Sequence, residues 1–290
     1  MFTDDRFRHL SCIERCPLNY YALANGIIGG ICLGFGILFL FIGLWRKYYK
    51  RLYLFFALFA LAYSGTLFLG ILYHDASSIE QYVRLVRWDV VPINLAFISL
   101  IWYVAEYTKA RPRIFLWGLT TLFIVLGIAQ IVRSNLLYDE ILGLENLILP
   151  WGERLAYLEA TDSILSLLNT GAWLAVLFFI LYACTRQYLR GERREALILS
   201  IGVLWFVAAI GAELLSRAGV ISLFFYGEFG FLGFVLALSL QMSYEVIKTE
   251  EDLDEYRVNL EELVKERTAE LEVTQAQLLA KAQESAPLGG

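Results

Sequence analysis

Residues 229–244 read FGFLGFVLALSLQMSY and pass without a break into EVIKTEEDLDEYRVNLEELVKERTAELEVTQAQL, which ends at Leu278. A bilayer core needs about 20 predominantly apolar residues per helix, and the first segment supplies them with its flanks. The second is charged and rich in helix formers, and neither Pro nor Gly interrupts it. The spacing predicts one continuous helix that leaves a membrane as a rod. Such a rod can carry a rotation, tilt or piston displacement between compartments, so the preceding chain reads as its input.

The composition agrees. Of 290 residues, 58% are hydrophobic and the mean hydropathy is +0.58, far too apolar for a soluble domain of this length. Seven candidate spans follow: Tyr20 to Trp45, Leu52 to Tyr73, Trp88 to Tyr107, Ile114 to Val132, Ile164 to Thr185, Ala196 to Leu215 and Phe224 to Tyr244. Only helices satisfy their own backbone in hydrocarbon, so the expected class is all-α, a polytopic seven-helix bundle with a C-terminal coiled-coil helix. The first residues, MFTDDRFRHL, are too polar for a signal peptide.

Arg46, Lys47, Lys50 and Arg51 crowd the first connection, Lys109, Arg111 and Arg113 the third, and Arg186, Arg190, Arg193 and Arg194 the fifth. The positive-inside rule puts these loops in the cytoplasm, the N-terminus outside and the C-terminus inside. The basic loops should lie on anionic lipid headgroups. The net charge of −5 sits largely in the outer loops and the rod, and no nucleic-acid partner is expected.

The organisation expected is an outer segment 1–19, a membrane domain 20–244, a cytoplasmic helix 245–283 and a tail 284–290. Cys32 and Cys184 fall in spans and read as small hydrophobes. Cys12 and Cys16 lie outside, where a disulfide would form in an oxidising compartment, although the Cys-x3-Cys spacing suits a relaxed bridge poorly. The bridged and free forms both stay open. No metal site is expected, since His9 alone could supplement these thiols.

Gly30 and Gly34 in the first span make a small-xxx-small face that lets another helix approach. HDASSIEQYVRLVR, residues 74–87, is amphipathic and suits a short interfacial helix. The connection from Arg133 to Asp162 is the longest outer segment and should pack on the bundle. It is too short to hold a sensory core of its own.

Charged and strongly polar groups within spans are costly and mark function or pairing. Asp89, Asn94, Gln130, Asn169, Glu213, Tyr226 and Glu228 fall in the outer parts of their spans, with Arg87 and Arg217 just beyond the outer ends of the third and sixth, and a ligand pocket open to the exterior would gather them. The alternative is structural: Glu213 pairs with Arg217 one turn on, Asp89 and Glu228 reach the interface, and Tyr226 joins the aromatic belt. Glu106 reads as an ion-paired end residue beside Lys109, and Pro92 as a kink. No span carries a Lys at mid-depth, which removes the attachment site of a retinal Schiff base.

Along the rod, Leu253, Tyr256, Leu260, Val264, Leu271 and Leu278 form a seam, with Arg267 and Thr274 at the intervening positions. The steps 3, 4, 4, 3, 4, 3, 4 describe a coiled coil with one stutter. A dimer buries this seam, and the stutter offers two near-equivalent packings.

The run LEELVKERTAELEVTQAQL, Leu260 to Leu278, with its core ERTAEL, closely resembles the connector preceding the dimerisation and phosphoacceptor domain of bacterial sensor histidine kinases. The spans, their orientation and patches such as RWDVVPINLAF (Arg87 to Phe97) resemble the membrane part of seven-transmembrane receptor histidine kinases. The resemblance implies a two-component sensor in a bacterial cytoplasmic membrane, acting as a homodimer, with a small-molecule or lipid signal. It also implies ATP, Mg and a response regulator as partners of a kinase part. His9 and His74, the two histidines, both fall outside, so the phosphoacceptor helix would follow ESAPLGG, Glu284 to Gly290, and a truncation there is expected. Connectors of this kind also precede cyclic-dinucleotide cyclases and phosphodiesterases, and a transporter is the remaining alternative.

Overall fold

The computed structural model describes residues 19–45, 49–132, 138–148, 153–191, 193–217 and 226–284. Its elements run α1 (Tyr20–Trp45), α2 (Lys50–His74), α3 (Ile79–Tyr107), α4 (Arg113–Val132), β1 (Tyr138–Ile148), β2 (Arg154–Asp162), α5 (Ile164–Leu189), α6 (Arg193–Arg217) and α7 (Tyr226–Glu284). Among the described residues, six helical stretches are long and apolar enough to cross a membrane: α1 to α5, and Gly230–Leu278 within α7. The α6 helix has 25 residues, with a described apolar stretch of Leu197–Ala209. The chain is mostly helical, with the apolar helices of a multi-pass membrane protein.

Two expectations need correction. The class is not purely helical, because the connection between α4 and α5 folds as an antiparallel hairpin, Tyr138 opposite Asp162 through Ile148 opposite Arg154. Pairing satisfies backbone groups that an irregular outer loop would leave to water. Nor is residues 74–87 a separate interfacial helix. Ser78 caps α3 by accepting from the Gln81 amide, and the amphipathic stretch continues into the third span as one helix, with Pro92 inside it.

The hairpin does pack on the membrane helices as expected. Ala156 and Leu158 of β2 form a small core with Ala76 and Tyr82, flanked by Tyr73, Val83 and Val86. His74 Nδ1 lies 2.9 Å from the Ala156 carbonyl oxygen, which can only accept, so this nitrogen carries the proton. Glu153, at the foot of β2, takes the Tyr21 amide at 3.2 and 3.3 Å with its two carboxylate oxygens. A carboxylate over the free amides of a helix N-terminus suits both their hydrogen bonds and the helix dipole.

The α1–α2 contact uses a different glycine face from the one expected. Gly29 and Gly43 meet α2, and a Cβ at Gly36 would stand 2.7 Å from Leu61. A Cβ at Gly30 or Gly34 would meet nothing within 4 Å. Residues 29, 36 and 43 lie two turns apart and so stay on one stripe of the helix, whereas residue 30 is rotated about 100° from it. Glu106 is ion-paired, but to Arg111 at 2.6 Å rather than to Lys109. At the same end, Arg190 donates to the Thr108 carbonyl at 3.2 Å, tying the C-terminus of α5 to that of α3.

Aromatic side chains fill the core, where Phe39, Tyr53, Phe56, Phe59 and Tyr103 are fully buried. Phe231 of α7 stacks on Tyr63 at 4.3 Å and meets Phe206 edge-on at 4.4 Å. Helices α6 and α7 approach closely at Gly230, where a Cβ would lie 2.6 Å from that of Ala209.

The contacts divide the chain into two compact units, residues 1–239 and 240–290. The second contains the charged part of α7, which has Arg257–Glu261 and Arg267–Glu270 ion pairs along its surface. Its seam residues Leu253, Tyr256, Leu260, Val264, Leu271 and Leu278 are all exposed.

Candidate functional site

The polar residues expected in the outer halves of the spans do not all meet. Asn94, Gln130 and Asn169 do, lining a cavity of about 20 Å³ with Val90, Leu126, Ala129 and Leu165. Each helix contributes neighbours one turn apart: Val90 and Asn94 on α3, Leu126 and Gln130 on α4, Leu165 and Asn169 on α5. The cavity lies at the end of the bundle where the hairpin joins α4 to α5. Its volume admits a single water-sized group.

Within the cavity the three amides differ in what already holds them. Asn94 is 6% exposed and donates from Nδ2 to the Phe123 carbonyl at 3.1 Å, across to α4. Gly127 makes room for this bond, since a Cβ there would stand 3.1 Å from the same nitrogen. Asn169 is half-buried. Gln130 is only 3% exposed, and neither its Nε2 nor its Oε1 has a hydrogen-bond partner among the described residues. An unmatched buried amide costs about 1–3 kcal/mol, so a group that bonds both atoms recovers that energy on binding.

Arg87 is placed beside the cavity rather than in it. Its guanidinium donates to the Ile131 carbonyl, covering the exposed backbone at the end of α4. Asp89, two residues on, turns to the other side of α3 beside Thr66 of α2. Neither Oδ1 of Asp89 nor Oγ1 of Thr66 completes a hydrogen bond. The acid and the amide cavity are therefore separate features on opposite sides of one helix. Trp88 between them is exposed, as an interfacial aromatic would be.

Glu213 and Arg217 fall on α6, and Tyr226 and Glu228 open α7, but their side chains lie outside the described residues. Cys12 and Cys16 also lie outside them, whereas Cys32 and Cys184 are buried free thiols. Sequence reasoning placed His74 outside and gave Glu153 and Thr66 no part in a site. The first two had no visible signal, because their partners come from a hairpin that was not foreseen.

The chain matches no model of a known protein family and no curated protein.

Proposed function

We propose that this chain is the sensor and transmitter part of a two-component sensor histidine kinase. In this reading seven spans form an N-out, C-in bundle in a bacterial cytoplasmic membrane. Their last helix continues as a homodimeric coiled coil toward a kinase part that uses ATP and Mg and serves a response regulator. The stimulus is a small molecule or a lipid acting on the outer half of the bundle.

One observation carries the reading. Helix α7 is unbroken for 59 residues from Tyr226 to Glu284, and it includes both the apolar stretch and the connector-like run around ERTAEL. A transporter needs no such extension, and a binding protein without output needs no exposed apolar seam on it. The seam supports dimerisation because five aliphatic side chains and Tyr256 face water in the single chain.

The test is made on the uninterrupted gene product in membranes, incubated with labelled ATP. Acid-labile, base-stable phosphate on the protein supports the kinase. An intact product without such label contradicts it and favours a cyclic-dinucleotide enzyme on the same input.

A further inference from the structure

We infer that the cavity between α3, α4 and α5 takes the hydroxyl group of an uncharged alcohol, with Gln130 as its recognition residue. Gln130 offers a donor at Nε2 and an acceptor at Oε1, both buried and without a partner among the described residues. A ligand atom that satisfies both must accept one hydrogen bond and donate another. A hydroxyl does this through a single oxygen. A carboxylate has no proton to give, and an ammonium has no lone pair to offer.

The surroundings exclude charge on other grounds as well. Val90, Leu126, Ala129 and Leu165 are apolar, Asn94 and Asn169 are neutral, and among the described residues no ionisable side chain lines the cavity. A charged head would lose its hydration without gaining a counter-charge, which costs several kcal/mol. The nearby Arg87 does not line the cavity, donating from one Nη to the Ile131 carbonyl with its Nε buried and unmatched, and Asp89 faces α2.

Size sets the remaining condition. With room for about one water-sized group, the cavity seats the hydroxyl and not a whole drug-sized molecule. The rest of the ligand must extend beyond it, where Val125, one turn from the lining Ala129, and Leu168, one turn from the lining Leu165, are exposed. Those side chains suit an alkyl tail. The hydroxyl can come from a soluble short alcohol or from a hydroxyl-headed amphiphile in the bilayer, and both have the same chemistry at Gln130. The inference rests on the sensor reading for its consequence, since occupancy would bias the packing of α3 against α4 and α5.

The test uses the full chain in lipid nanodiscs, melted with 1-propanol, 1-dodecanol, dodecanoate or dodecylammonium, in the wild type and in Gln130→Met. Met keeps the length and removes both hydrogen-bonding atoms. Because all four additives perturb the bilayer itself, the reading is the difference between the two proteins at equal additive. The expected result is an upward shift in melting temperature with alcohol in the wild type that Gln130→Met loses, equivalent to binding at least about tenfold weaker. No such difference is expected with the carboxylate or the ammonium.

A difference with 1-propanol identifies a soluble alcohol as a sufficient ligand. A difference confined to 1-dodecanol identifies a bilayer amphiphile. If Gln130→Met does not fold, Asn169→Leu, which narrows the half-buried side of the cavity, serves in its place. Equal shifts in wild type and variant with every additive overturn the inference and leave a cavity that holds water only. The two readings fail separately. Alcohol binding without a change in phosphorylation of the uninterrupted protein removes the sensor reading alone, and a phosphorylation response without alcohol binding removes this inference alone.

Discussion

The rings of Tyr63 on α2 and Phe231 on α7 stack with centroids 4.3 Å apart and planes 25° from parallel. Phe206 of α6 meets the same Phe231 ring edge-on at 4.4 Å, and Phe97 of α3 meets it at 6.1 Å. Phe59 of α2 lies 6.5 Å from it, so one aromatic side chain of the last helix pairs with four others. Offset and edge-to-face pairs each add about 0.5–1.5 kcal/mol beyond area burial. Phe231 is therefore a place where displacement of α2, α3 or α6 is felt by α7.

Truncating that ring should be costly. Phe231→Ala is expected to destabilise the folded chain by about 3 kcal/mol, and Phe231→Leu, which keeps most of the volume, by less than about 1.5 kcal/mol. Thermal melting in nanodiscs reads both. Under the proposed sensor reading, Phe231→Leu should alter stimulus-dependent phosphorylation while the protein stays folded.

Gly230 should not tolerate bulk. A Cβ at this position falls 2.6 Å from that of Ala209, so Gly230→Leu must push α6 and α7 apart. Overpacking of this kind costs about 1–3 kcal/mol, seen as a lower melting temperature. Gly30→Leu is the control, because its position is open in the single chain and melting should barely change.

The hairpin is fastened at two points, so loosening one should expose it. Glu153→Ala removes both contacts to the Tyr21 amide at the start of α1. The loss should be about 0.5–2 kcal/mol, the range for a helix N-terminal cap. Limited proteolysis should then cut faster between β1 and β2, while Glu153→Gln, which keeps one acceptor oxygen, should fall between the two.

Asp89 carries a cost that a neutral side chain would avoid. With Oδ1 buried and unmatched beside Thr66, Asp89→Asn should hold or raise stability by about 1 kcal/mol, since desolvation of a carboxylate is removed. A change in signalling with unchanged melting would mark Asp89 as functional. Unchanged signalling would return it to a structural role.

Sequence pattern revealed much of this molecule and missed one element for a physical reason. Long apolar runs become helices in hydrocarbon because no other local structure satisfies the backbone, so the ranges of α1, α2, α4 and α5 lie close to those read from composition. The hairpin escaped because its strands, YDEILGLENLI and RLAYLEATD, are rich in Leu, Glu and Ala, with Ile141, Ile148 and Thr161 as their β-branched residues. Its trace was Pro150 and Gly152 between two apolar-alternating runs, a turn signal outweighed by helical propensity. At the site, Asn94, Gln130 and Asn169, read as lying at similar depth, line one cavity. Depth could not separate Asp89 from them, because a shift of one residue around a helix turns a side chain by about 100°.

The central claim is that the charged part of α7 pairs with a second copy along its seam, and cysteine cross-linking in membranes tests it most directly. Single cysteines replace Leu253, Tyr256, Leu260, Val264, Leu271 and Leu278, with Glu262, Glu266 and Ala276 as off-seam controls, in chains whose own cysteines are replaced by Ser or Ala. Strong disulfide dimers at the seam positions and weak ones at the controls are the expected result. Uniformly weak cross-linking, or yields that ignore the seam, would mean that α7 ends as a solvated single helix and that the transmitter account is wrong.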